Sequence, residues 1–294
     1  MSKPASQADL VTQRATDVYL NTGDIEQARR SKVVLLNLID DQSRFAVDGV
    51  QSFTLQDLED ISAEDTKTDG TAQSDLSGGT LPTTLTIDKF KTVPAYFKYV
   101  LGESSRINWV ENFLNAAPEV AVLEVEKAAI AALRGIGATN YIRLGGTASD
   151  GTVNAVPTVA NYTAALKILV QDKKLNPADI RSIGSFVGQY ELPSLFGYYN
   201  STATGADAEF AKLNGFIRMI MGVPNFASHE IRTKEHIIFH KRAVAYAIRT
   251  KAKLVFQSIG SQSQDYYGVN ISYGVVARQD KRAVVMQDGA TFTA

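Results

Sequence analysis

The sequence contains no cysteine. Thiolate metal sites, disulfides and cysteine nucleophiles are therefore excluded, and the lack fits a reducing compartment. Histidine is scarce, with three in 294 residues, which leaves little of the usual general-base inventory. Neither sign of charge prevails: 30 Lys and Arg stand against 31 Asp and Glu, a net charge of −1. Nothing in that balance drives the chain toward nucleic acid or an acidic membrane. No apolar run approaches the roughly 20 residues of a bilayer span. Residues 1–20 are polar and lack the apolar segment of a secretory signal. The chain reads as soluble and intracellular when made. What remains is 45% hydrophobic and 21% charged, an ordinary globular composition. It is long enough for one large domain or two modest ones, with a core that needs no staple.

Motifs for chemistry are also missing. There is no GxxxxGK[ST] and no GxSxG. Gly135-Ile136-Gly137 starts a dinucleotide-like pattern, but Asn140 replaces the third glycine and the pair follows a helical pattern, so it reads as a helix stop. His236 and His240 have a spacing that binds metal on a helix, yet Ile237, Ile238 and Phe239 between them favour a strand. His229-Glu230 continues as Ile231-Arg232-Thr233, so HExxH is absent. The carboxylate pairs Asp40–Asp41 and Glu59–Asp60 lie in polar runs that read as solvated faces. Tyr96, Phe97, Tyr99, Tyr198, Tyr199, Tyr266 and Tyr267 are not interleaved with basic residues, so packing outweighs base stacking. The expectation is a protein that is not an enzyme, with no catalytic, cofactor or metal site.

The chain is organised around residues 45–99. A first extended arm, FAVDGVQSFTL, leads to a polar tip, EDTKTDGTAQSDLSGGT, and a return arm, TTLTIDKFKTVPAYFKY. Asp48-Gly49 marks a turn or bulge. Pro94 demotes the return arm to a sheet edge, because it lacks the donor that a central strand needs. Isolated ribbons are marginal in water, so another part of this chain or another copy must cover it.

Before the ribbon, Asp24 can cap a helix through IEQARRSKVVLLNLI, its second half made ambiguous by Val33-Val34. After it, Ser104 or Ser105 can cap a long amphipathic helix. Trp109, Phe113, Ala116, Val120, Leu123 and Ile130 recur at helical steps, and Val110, Leu114, Ala117, Ala121 and Ala128 widen the stripe. Pro118 predicts a kink or break, and Gly135 and Gly137 the end. Asn161 caps a second helix, NYTAALKILVQDKK; NPADIRSIGS reads as a helical turn and a strand; residues 216–221 read as a buried strand closed by Gly222 and Pro224. The last part reads as a strand at 236–239, a helix at 241–250, and strands at 253–258, 269–277 and 282–286. Helices and short strands are mixed, so the class is α+β.

Charge is uneven along the chain. The ribbon is acid-rich through Asp57, Glu59, Asp60, Glu64, Asp65, Asp69 and Asp75 against Lys67. Residues 232–253 are basic through Arg232, Lys234, Lys241, Arg242, Arg249, Lys251 and Lys253. Complementary segments on one chain suit self-association; two ordinary solvated faces would give the same composition.

In this order the elements resemble the major capsid proteins of tailed bacteriophages, over nearly the whole chain. Three pieces carry the likeness: the return arm LTIDKF, the long helix over 105–133, and the close FHKRAVAYAIRTKAKLVFQ with YYGVNISYGVVARQDKRAVVM. The resemblance implies an N-terminal arm at 1–40, an extension loop at 41–99, and a peripheral-domain spine helix at 100–137. It implies an axial domain at 138–252, peripheral strands at 253–277, and a return to the axial domain with a tail at 278–294. It implies a major capsid protein, five or six copies to a capsomer, in an icosahedral or prolate head enclosing double-stranded DNA. The extension loop would lie across a neighbour, with Asp65, Lys67, Asp69, Asp75, Arg242 and Lys251 as inter-subunit contacts. Implied partners are further copies, a portal protein, a scaffolding protein and packaged DNA touched non-specifically, with no membrane; the chain would be assembled in host cytoplasm and reside in the virion. The arm is short, which points to a separate scaffold. Lys67 is the one lysine of the tip and nothing marks a partner asparagine, so no loop crosslinks are expected. An encapsulin-type compartment shell, or an α+β enzyme with an unrecognised site, are the alternatives.

Overall fold

The computed structural model describes residues 33–47, 49–58, 80–98, 109–137, 140–144, 158–185, 216–232, 235–278 and 282–288. The first half of the helix expected from Asp24, the tip of the ribbon, the caps at Ser104 and Ser105 and the stretch at 186–215 lie outside them. The second half of that helix is described and is corrected: residues 33–39 form no α-helix, only a single 3₁₀ turn at Leu35–Asn37. Two sheets and a long helix make the frame. The first sheet runs β1 (Asp40–Asp41), β10 (Val244–Ile259), β11 (Gln264–Ala277), β4 (Lys89–Lys98). The second runs β5 (Tyr141–Leu144), β12 (Ala283–Asp288), β9 (Glu235–His240), β6 (Ile180–Gly184), β8 (Val223–Ala227), β7 (Phe216–Ile220). The ribbon is a separate pair, β2 (Ser52–Leu58) with β3 (Thr80–Thr86). The class is α+β, as expected.

Helix α1 (Trp109–Gly137) is assigned without interruption through Pro118. Its buried face is Leu114, Ala117, Ala121, Val122, Val125, Ala129, Ile130, Leu133 and Ile136. Ala116 and Val120, expected inside, are exposed. The buried face lies about one position C-terminal to part of the expected stripe, and Glu126 sits within it. This face packs against both sheets at once, through Ile271 and Tyr273 of β11 and through Ile237, Phe239, Ala283 and Val285 of β9 and β12. Residues 33–39 complete that core, with Val33 and Leu35 fully buried. The helix ends against the second sheet: a methyl group at Gly137 would lie 2.0 Å from Val285 Cγ2.

The far side of the second sheet carries α2 (Val159–Leu166), which continues as a π-helical turn to Asp172. Thr158, rather than Asn161, is its cap, and its hydroxyl accepts the Asn161 N–H at 3.3 Å. Tyr162, Ala165 and Leu169 bury against Ile180, Ile238 and Met286. Between β7 and β8, Met221 (φ 52°) and Gly222 (φ 79°) make a two-residue turn with both central residues left-handed, the form that matches strand twist.

Two further expectations are corrected. Residues 241–250, expected as a helix, are a turn followed by the start of the 16-residue β10. Alanine-rich AVAYAI favours a helix by propensity, but both faces of this strand are covered, and alternation decides. Val244 and Tyr246 enter the core beneath α1, while Ala245 and Ala247 pack under the ribbon, where only small side chains sit beneath its backbone. The return arm, expected as one strand, is two. β3 ends at Thr86 and pairs with β2, whereas β4 joins β11 in register from Tyr273↔Lys89 to Gln264↔Lys98. Pro94 does lie on a sheet edge, opposite Gly268.

Candidate assembly interface

The base of the ribbon is fastened to its own subunit. Leu55, Leu85 and Ile87 are buried with Ala46 against Ala245 and Ala247. Ile87 N–H donates to Gln51 O at 2.8 Å and closes the ribbon's root. Gly49, at φ +90°, turns the chain into β2. β3 crosses β11 so closely that a Cβ at Gly274 would lie 2.1 Å from the Thr86 carbonyl oxygen.

One arginine ties four segments together here. Arg278 follows β11, and its N–H donates to Ala243 O at 2.9 Å, just before β10. Its guanidinium donates from Nη2 to Asp57 Oδ1 at 2.8 Å and from Nε to Asp57 Oδ2 at 3.1 Å, a two-point fork on β2. Its Nη1 is held by Asp40 of β1. Its carbonyl accepts the Thr83 hydroxyl of β3 at 3.2 Å. Arg282 adds a longer contact to Asp57 at 3.4 Å and a bond to Arg242 O at 3.2 Å. Burial lowers the Arg282 pKa while Asp57 raises it. The Asp57 and Arg278 side chains are 4% and 7% exposed, so this pair is desolvated and removing either member would strand the other charge.

Asp40 reads in sequence as part of a solvated face and Asp57 as one charge of an acid-rich ribbon; the structure corrects both, pairing them with Arg278 inside the subunit. The available signal was positional: Asp57 is two residues from Leu55 and so shares its strand face.

Beyond the root, the surface is apolar in places. Phe45 is 46% exposed and Val47 57%. Phe45 stacks on Phe53 at 5.8 Å and beneath the Arg44 guanidinium at 4.6 Å. On the sheet face away from α1, Phe90 is 67% exposed and Tyr96 58%, with Tyr96 against Tyr266 at 5.1 Å. The opposite face of β4 is used internally, with Phe97 against Phe113 of α1 at 6.0 Å.

Of the expected contact residues, Asp65, Lys67, Asp69 and Asp75 lie outside the described residues. Lys251 falls in β10 where its register with β11 shifts between Thr250 and Lys253. Arg242 is exposed in the turn between β9 and β10. With Arg181 and Lys241 it lines a cleft of about 350 Å³ opposite residues 37–41. Lys241 is engaged there by Asp179 at 2.7 Å, which lowers the Asp179 pKa.

His236 and His240 lie on β9, as the strand reading required. Burial lowers the His236 pKa to about 3, and among the described residues neither ring nitrogen has a hydrogen-bond partner. His240 Nε2 is 3.7 Å from Asp179, and burial with the nearby Arg282 charge lowers its pKa to about 4. Arg134 of α1 grips the buried Glu235 at 2.6 and 2.8 Å. Among the described residues no helix is long and apolar enough to cross a membrane.

No family model and no curated protein matches the sequence. Solved structures do match. A structure of Mycobacterium phage Che8 superposes with a TM-score of 0.63 at 16% identity, covering 86% of this chain and 90% of that one. The capsid structure of the cyanophage P-SCSP1u gives a TM-score of 0.65 at 12% identity, covering 88% and 89%. The virus-like particle from Pyrococcus furiosus gives 0.54 at 12% identity, covering 90% and 95%. The two sheets, the α1 spine and the anchored ribbon of this chain are together the tailed-phage major capsid fold.

Proposed function

We propose that this chain is a major capsid protein that self-assembles into the head shell of a tailed phage and has a structural, non-enzymatic role. The observation that carries this reading is the shared fold over 88% of the chain with a phage capsid subunit. In this reading, α1 and the four-stranded sheet form the peripheral domain, the six-stranded sheet forms the axial domain, and the chain passes from one to the other in the turn between β9 and β10. The ribbon, clamped near the far end of β2 by Asp57 and Arg278, reaches over a neighbouring copy. Its acidic tip, with Asp65, Asp69 and Asp75, meets the basic segment that carries Arg242 and Lys251, where electrostatics sets register more than affinity. Exposed Phe45, Val47, Phe90 and Tyr96 suit burial between copies. A portal, a separate scaffolding protein and packaged DNA complete the assembly, which resides in the virion and forms in host cytoplasm.

Expression with and without a co-expressed scaffold, followed by negative-stain imaging, tests the reading. Capsomers or closed particles support it, and a persistent monomer under both conditions overturns it. A compartment shell is the second reading; the likeness to the virus-like particle from Pyrococcus furiosus suits either a viral head or a compartment. Particle contents separate the two: nucleic acid for a viral head, a cargo protein for a compartment.

A further inference from the structure

Glu126 is a carboxylic acid in the apolar face of α1, with no measurable exposure. Three segments meet on it. Oε2 accepts the Val34 N–H at 2.9 Å, and the Leu35 N–H also bonds the carboxylate. Oε1 accepts the Ser228 hydroxyl at 3.1 Å, from the loop after β8. All these partners are donors, and among the described residues no cation pairs with it. We propose that Glu126 is a proton-operated latch for the arm: its buried carboxyl holds residues 33–39 on α1, and gain or loss of one proton there sets how firmly they dock.

The physical argument is one of linkage. With the arm seated, the ionised carboxylate has donors but no counter-charge, and burial raises its pKa to about 7. The surroundings act the same way or are engaged elsewhere. Glu230, on the Ser228 loop, adds a like charge that raises it further. His229 and Arg232 of that loop are exposed. On α1, Lys127 is paired with Glu124 at 3.0 Å on the wet face, and Arg134 is held by Glu235. Residues 33–39 carry no ionisable side chain. When the arm lifts, water reaches the carboxyl and its pKa returns toward the ordinary value near 4.5.

The sign follows. The seated state binds the proton more tightly, so docking is strongest below pH 4.5 and loses this contribution as pH rises through 7. Protonated Glu126 donates to Ser228 Oγ and still accepts from the arm amides. Between pH 8 and pH 5.5 the docking equilibrium strengthens on the order of 30-fold. Asp40 follows the arm directly and is held by Arg278, so the latch lies one step from the ribbon's clamp. Nothing in this depends on the shell reading.

Hydrogen exchange on the full chain tests it, with protection at 34–39 measured from pH 5.5 to 8 and corrected for intrinsic rates. The expected result is a loss of protection of about 30-fold toward pH 8, read against the same segment in Glu126→Gln. Glu126→Gln makes the protection at 34–39 independent of pH. Ser228→Ala removes a donor that favours the ionised form, so the transition moves to higher pH. A flat wild-type profile, or an unaltered transition in Glu126→Gln, overturns the proposal. Should Glu126→Gln fail to fold, an unmoved transition in Ser228→Ala overturns it equally.

Discussion

Asp57 and Arg278 lie 221 positions apart in sequence and meet in a buried two-point contact of 2.8 and 3.1 Å. The ribbon is therefore rooted in its own subunit before any neighbour is present. Asp57→Asn leaves the Arg278 charge buried without its full partner. The expected loss is about 3–5 kcal/mol in denaturant unfolding at pH 7. Arg278→Lys keeps the charge but gives up the fork and lies between the two.

Two glycines of β11 make a contrasting pair. Alanine at Gly274 would drive its methyl group into the Thr86 carbonyl, so the ribbon root must lift. The same change at Gly268 meets only the end of the Tyr266 side chain, which can swing away. Gly274→Ala is expected to destabilise by roughly 1–3 kcal/mol and Gly268→Ala by well under that. Thermal unfolding of both variants checks the ranking.

His236 predicts acid sensitivity. Its folded pKa of about 3 lies below the unfolded value of 6.5, so its contribution is complete above pH 6.5 and falls away as pH drops toward 3. The loss is ~3 kcal/mol by pH 4. Glu126 works in the opposite direction over part of this range, so the two must be separated by mutation. His236→Met, facing Met286 and Gly184 across the sheet, should lose less stability between pH 7 and pH 4 than the wild type.

Removing residues 66–79 leaves Asp57, Thr83 and the apolar root in place. Circular dichroism of the shortened chain should match the parent while imaging finds no stable shells. Loss of the fold would contradict a tip that serves its neighbours.

Arg242→Glu tests the charge match. Arg242 is exposed and its guanidinium bonds nothing within the chain among the described residues, so stability should change by less than about 0.5 kcal/mol. Assembly yield, read by sedimentation, should fall. An unchanged yield removes Arg242 from the interface.

The frame is legible in the sequence wherever periodicity and local signals agree. The long apolar helix, the edge role of Pro94 and the Gly222 turn are visible in residue order. The sequence misled where tertiary cover overrode propensity, as at 243–248, whose alanines make room for the ribbon rather than a helix. It was silent on Glu126, Asp57 and Arg278. A charge inside an apolar stripe, or two residues from a buried leucine, signals a buried polar site only once its distant partner is known. Those partners lie 92 and 221 residues away.

The close approach at Gly137 ties the two sheets together. With no room for a methyl group against Val285, the end of α1 sits directly on the six-stranded sheet, while Ile271 and Tyr273 of β11 hold the same buried face to the other sheet. A side chain at position 137 would wedge the helix off β12, and because one helix bears on both sheets, their joint would shift with it.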